Sequence, residues 1–249
     1  MKKIVFGIIF VMVVGFVLSE SCTKKPSSPQ SQSGKEVSAK DKINQSVERI
    51  DSMRAGIPYP SNGTMDTVFS VIGEERVKDT EMNTTFLQAD SAWNKFKSLC
   101  SRGEYKEAYS YFYDDDENRG RFMVALKRTT AQYVFYTEVL YELDRRYDKE
   151  NAMSKLVSNL NLNLVMTSAV IESSRNGYVP PHFPDLFFMS IEGNRQIGNY
   201  KKAKEIIEQY TPLVCWVEGK KEEDVERITK ELLDEIDTPL MMREDEQNY

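Results

Sequence analysis

Histidine, cysteine, glycine and proline are all scarce in this chain of 249 residues. Its one histidine is His182, so a zinc site of the usual histidine and cysteine ligands has too few donors. A catalytic triad would have to use His182, which sits between Pro181 and Phe183 with no serine motif beside it. No metal, no cofactor and no catalytic residue is assigned on this basis, and an enzyme is not the expected reading. Three cysteines, Cys22, Cys100 and Cys215, do not make a disulfide framework. Twelve glycines and nine prolines supply few turns, which disfavours strand-and-turn architectures. A basic excess is missing as well. The formal charge is −6 with both signs interspersed, which leaves no footprint for nucleic acid and no electrostatic pull toward anionic lipid.

What is present begins at the N-terminus. Lys2 and Lys3 precede an uncharged apolar stretch over 4–18, and Ser19, Glu20 and Ser21 then lead into Cys22. This layout resembles the signal of a bacterial lipoprotein. The resemblance implies that 1–21 is removed and that Cys22 becomes an acylated N-terminus. It also implies sorting to the outer membrane, because Thr23 rather than aspartate follows the cysteine. The cleavage box departs from the family: its leucine, Leu18, stands one place early, and Glu20 is unusual there. A secretory signal cut after Ser21 and an uncleaved anchor are the alternatives, although the apolar stretch is shorter than the ~20 residues a span needs. Loss of 1–21 removes two lysines and one glutamate and makes the chain one unit more acidic.

Residues 22–40 read as the lipidated cysteine and a flexible tether, rich in Ser, Pro, Gln and Lys and too polar to fold. A helical domain is expected over 41–237 and a disordered acidic tail over 238–249. Within the domain, Ile43, Val47 and Ile50 mark a first short helix, and 65–72 reads as another helical turn or two. Leu87, Trp93, Phe96, Leu99 and Cys100 mark the next helix, followed by one over 104–113. Phe122, Leu126, Thr129, Tyr133, Tyr136, Leu140, Leu143 and Tyr147 alternate steps of four and three, which predicts a long helix over 119–147. Asp148 is the expected N-cap of its antiparallel partner over 149–174, the two forming the longest pair. Over 159–164 asparagine and leucine alternate strictly, a strand pattern, but both flanks run at the helical period. Helices over 186–197, from 199 to a kink at Pro212, and over 221–237 complete the chain.

Gly103, Tyr105, Ala108 and Phe112 repeat as Gly198, Tyr200, Ala203 and Ile207. A glycine for the tight turn, a tyrosine over it and an alanine for close packing resemble the turn and second helix of a tetratricopeptide repeat. The likeness covers two short segments. Phe96 is bulky where that family wants a small residue, and the two glycines lie 95 residues apart, no multiple of the family's ~34-residue period. The expected class is all-α: antiparallel helical hairpins in an irregular tetratricopeptide-like array, or an ordinary bundle with two glycine turns.

Few residues suggest chemistry. The acidic cluster 114–117 lacks the spacing of a calcium loop, because Arg119 and Ala125 fall where glycine and glutamate are required. It reads instead as a solvated turn whose carboxylates favour the next helix N-terminus. Paired carboxylates for glycoside hydrolysis have no distinguishing spacing. Triplets beginning at Asp51, Asp66 and Asp90 resemble sites that some Gram-negative bacteria O-glycosylate. The stiff aromatic loop with Tyr178, His182 and Phe183 is the candidate binding loop, unless its rings pack inward as a plug. Together these features predict an exported, lipid-anchored helical scaffold of the cell envelope that contacts another protein or a peptide. A glycan-binding lipoprotein of a sugar-uptake system is the alternative, and a hydrolase a more distant one.

Overall fold

Apolar residues at three-to-four spacing become helices throughout the computed structural model, which describes residues 39–59, 79–173 and 179–237. Among these there is no strand, and the all-α class expected from the periodicity is the one observed. The signal, Cys22, residues 65–72, Tyr178 and the tail over 238–249 lie outside the described residues. No helix among the described residues is long and apolar enough to cross a membrane.

The helical region divides into two compact units, one ending at His182 and one beginning at Phe183. The first holds α1 (Ala39–Arg54), α2 (Asp79–Ser101), α3 (Tyr105–Tyr113), α4 (Asp116–Leu126) and α5 (Thr129–Val134). A π-helical turn (Phe135–Leu140), α6 (Tyr141–Tyr147) and α7 (Ala152–Ser173) follow in the same unit. The second holds α8 (Phe183–Gln196), α9 (Tyr200–Val217) and α10 (Glu222–Asp237).

Aromatic rings fill the core of the first unit. Phe122 lies 5.1 Å from Phe96, 5.2 Å from Phe112, 5.7 Å from Phe135 and 6.2 Å from Trp93, centroid to centroid. Edge-to-face pairs dominate, the arrangement that ring quadrupoles favour. On α2 the buried stripe is Phe86, Ala89, Trp93, Phe96 and Cys100. Leu87, expected on that stripe, is instead 72 % exposed. It lies one step around the helix from Phe86, whose ring stacks on Tyr59 at 4.2 Å.

The helix expected over 119–147 is interrupted. Lys127 adopts a left-handed φ of 61° and ends α4, and a new helix starts at Thr129. Arg54 explains the stop, because its Nε donates to the Ala125 carbonyl at 2.8 Å, one of the acceptors that a helix end leaves unpaired. Lys127 reinforces the break by donating to the Ile57 carbonyl at 2.8 Å. The run from α5 through the π turn to α6 then packs on α7 as an antiparallel hairpin. At 23 and 22 residues, α2 and α7 are the longest single helices among the described residues. Asp148 does not cap α7. It ends α6, and Asn151 stands at the start of α7, its carbonyl accepting from the Lys155 amide at 2.9 Å. Over 159–164 the chain is helical, and its alternation places Asn163 in the interior. The Asn163 amide donates there to the Thr129 carbonyl at 3.2 Å.

Both predicted glycine turns are Schellman motifs. Gly103 donates to Cys100 and Glu104 to Leu99; Gly198 donates to Arg195 and Asn199 to Asn194. Gly219 makes a third such turn, with bonds to Trp216 and from Lys220 to Cys215, that the sequence comparison did not single out. The alanines that follow the first two, Ala108 and Ala203, are fully buried. The tyrosines diverge: Tyr105 is buried, whereas Tyr200 is exposed. Helix α9 continues through Pro212 to Val217. At Gly198 a Cβ would meet nothing within 4 Å, so only its φ of 76° resists alanine. Gly198→Ala is therefore expected to cost about 1–2 kcal/mol, read from urea denaturation. Gly198→Asn should recover part of that loss, since asparagine tolerates the left-handed region.

Candidate functional site

An open groove of about 470 Å³ runs along the first unit between α1 and the π turn. One face of α1 supplies Lys42, Gln45, Ser46 and Arg49, the three-to-four spacing that lines up side chains on a helix. Thr137 and Glu138 of the π turn and Glu142 of α6 form the opposite wall. At the centre, the Ser46 hydroxyl donates to Glu138 Oε2 at 2.7 Å, and the Arg49 guanidinium pairs with Oε1 of the same carboxylate. Ser46 is buried beneath, while Arg49 and Glu138 are each about half exposed. The lining carries two cations, two carboxylates and three neutral hydrogen-bonding groups, with no aromatic ring.

The π turn places this wall. Its wider helical turn leaves some carbonyls without the normal partner, and the Thr137 hydroxyl donates to the Tyr133 carbonyl at 2.8 Å. Inward, Phe135, Tyr136, Val139 and Leu140 anchor the turn in the core. A rigid inner face and a polar outer face thus meet within six residues.

A second polar cluster joins α3 to the α6–α7 corner. The Asp144 side chain is 1 % exposed, and burial pushes its carboxyl up to about 6, although Tyr113 and Lys155 pull the other way. Tyr113 donates to Asp144 Oδ2 at 3.1 Å, and the Lys155 ammonium lies 3.6 Å from Oδ1. Lys155 also meets Asp148 at 2.6 Å and the Tyr109 hydroxyl at 2.8 Å, and sits 4.1 Å from the centre of the Tyr113 ring. Burial disfavours its charge, but Asp148 and Tyr109 outweigh that and hold its pKa above the usual lysine range. Every group here ties one helix to another, the role of a structural clasp.

Arg54 organises a third cluster. It pairs with Asp90 and Asp51 and lies over the Trp93 ring, with 5.5 Å to its centre. Asp51 also accepts from Trp93 Nε1 at 2.9 Å and from Lys97 at 2.7 Å, bonds that hold its carboxyl below the usual range against the opposing effect of burial. The aspartates of two of the glycosylation-like triplets are therefore engaged in fixing α1 to α2, while Asp66 lies outside the described residues.

The aromatic loop presents little surface at its described positions. His182 and Phe183 are both buried. The His182 ring stacks on Tyr133 at 4.9 Å between centroids, and its Nδ1 lies 3.2 Å from the Thr130 hydroxyl. Burial lowers its pKa to about 4, so the ring is neutral at physiological pH. Asp115 of the acidic cluster caps α4 by accepting from the Glu117 amide at 2.8 Å. Asp116 and Glu117 pair with Arg119 and Arg121 along the same helix. No group of three or more metal-ligating side chains occurs among the described residues.

The groove is the feature that sequence reasoning missed. Its residues are common charged and polar types, and their pairing across 92 positions has no local signature. The one available signal was Ser46, a polar residue between Ile43 and Ile50 that shares the buried side of α1. Comparison with known proteins returns no matching family model, no matching curated protein and no matching solved structure.

Proposed function

We propose that this chain is an exported, lipid-anchored binding protein of the bacterial envelope, sorted to the outer membrane, whose helical region contacts a peptide or a segment of another protein. The observation that carries the location is the run from the Lys2–Lys3 pair through the apolar stretch to Cys22. The polar residues over 23–38 supply a spacer between an acylated Cys22 and α1. Support for the binding role comes from the groove beside the π turn, whose mixed charges suit peptide groups. A glycan site would draw on aromatic platforms, which that groove does not have.

Cys22→Ser removes the acyl acceptor. The variant is expected in the soluble periplasmic fraction, while the wild type stays with membranes through a carbonate wash. Retention of the variant on membranes after that wash would overturn the lipid-anchor reading. Affinity capture from membrane extract, with identification of the co-purifying protein, addresses the binding role separately.

A further inference from the structure

We infer that the groove between α1 and the π turn holds a short peptide with free termini, its carboxylate on Lys42 and Arg49 and its amino group on Glu138 and Glu142. The inference deepens the binding role proposed above and rests on it. Three observations carry it. First, a volume of about 470 Å³ lies within the range of sites that take small molecules. Secondly, the lining is charge-balanced. Glu138 and Glu142 repel a polyanion, Lys42 and Arg49 repel a polycation, and a zwitterion satisfies both pairs. The lining has no ring for a sugar to stack on.

Thirdly, the internal pairs are weak enough to yield: Glu142 meets Arg145 at 3.3 Å, and that guanidinium is largely exposed. Lys42 is exposed and makes no ion pair among the described residues. The Arg49–Glu138 pair is half exposed, so solvent already screens it and a ligand carboxylate can draw Arg49 away at small cost. Ser46, nine-tenths buried, keeps its bond to Glu138 Oε2 during that exchange and holds the carboxylate in place. π turns recur at functional sites, and this one carries two of the lining residues. Peptide main-chain groups would meet Gln45 and Thr137, which can both donate and accept.

Isothermal titration of the purified full chain with trialanine tests the inference, alongside N-acetylated trialanine and trialanine amide. Free trialanine is expected to bind saturably, and blocking either terminus should weaken binding about tenfold, the scale of one charge-assisted hydrogen bond. Lys42→Ala should weaken free trialanine about tenfold yet leave the amide unaffected. Lys42 is fully outside the core, and an unchanged melting curve confirms that the variant is folded. Absence of saturable heat with trialanine, equal binding of the blocked peptides, or unchanged binding by Lys42→Ala would each overturn the assignment. Such a failure, with the Cys22→Ser release and partner capture intact, removes only this ligand. Failure of those two experiments removes the envelope reading whatever the titration gives.

Discussion

Phe122→Ala is expected to lower the unfolding free energy of the first unit by about 3–5 kcal/mol, the largest effect of any single truncation foreseen here. The ring is completely buried and touches Trp93 and Phe96 of α2, Phe112 of α3 and Phe135 of the π turn. Removing it takes away apolar burial and leaves a hole lined by stiff rings. Those neighbours are themselves held on several sides, so the cavity closes only in part and its cost adds to the lost transfer energy. Phe122→Leu should lose much less, since it refills most of the volume. Urea denaturation followed by Trp93 fluorescence, in a Trp216→Phe background, measures both. A loss below about 1 kcal/mol for the alanine variant would mean that the ring cluster is not the packed core described above.

Asp144 and His182 are expected to tilt stability in opposite directions over the same pH range. Both belong to the first unit, so they act on one unfolding transition. Asp144 titrates near 6 when folded and near 3.8 in the unfolded chain. Its contribution is fully present below 3.8 and is lost as pH rises through about 6. For His182 the folded value, about 4, lies below the ordinary 6.5. Its contribution is present above 6.5 and is lost as pH falls toward 4. Each shift corresponds to roughly 3 kcal/mol at full titration, so in the wild type the two slopes largely cancel.

Separating them exposes both. Asp144→Asn keeps an acceptor for Tyr113 and removes the buried charge. It should be more stable than wild type at pH 7, and it should lose stability more steeply on acidification toward pH 4. His182→Phe keeps the stacking on Tyr133, and its stability relative to wild type should rise as pH falls from 6.5 to 4. Asp51 and Asp148, whose carboxyls are held below their usual range by Lys97 and Lys155 among other partners, impose the same acid-side decline on every variant. They drop out of the comparison. Urea denaturation from pH 4 to 7 checks the pair, and parallel curves for all three proteins would refute the assignment of either group.

Much of this architecture was legible in the pattern of apolar residues, because helix formation and burial are local consequences of three-to-four spacing. The helix expected over 149–174 is observed as Ala152–Ser173 for that reason, even where asparagine and leucine alternate. The stop at Lys127 was not legible. It depends on Arg54 reaching an Ala125 carbonyl 71 positions away, and nothing between Leu126 and Thr129 breaks a helix by itself. Leu87 misled because a leucine next to a phenylalanine satisfies the same hydropathy pattern, and only packing against Tyr59 decides which one faces inward. The glycine turns were visible at two of three places, since Gly219 is followed by charged residues instead of the tyrosine that marked the others. At the groove, the decisive contact joins a serine to a glutamate, residue types too common to stand out.

Both remaining thiols are sealed, one in each unit: Cys100 in the first and Cys215 in the second. Burial pushes the Cys100 thiol up to about 12 and raises that of Cys215 as well, so neither supplies a reactive thiolate while its unit is closed. A thiol-specific alkylating reagent can therefore reach each of these two sulfurs only through a transient opening, and each cysteine peptide is read separately. Mass spectrometry of the two cysteine peptides over a labelling time course then gives two separate clocks. One reports how often the aromatic core breathes, and the other how often the glycine-turn helices do, in one native sample without denaturant.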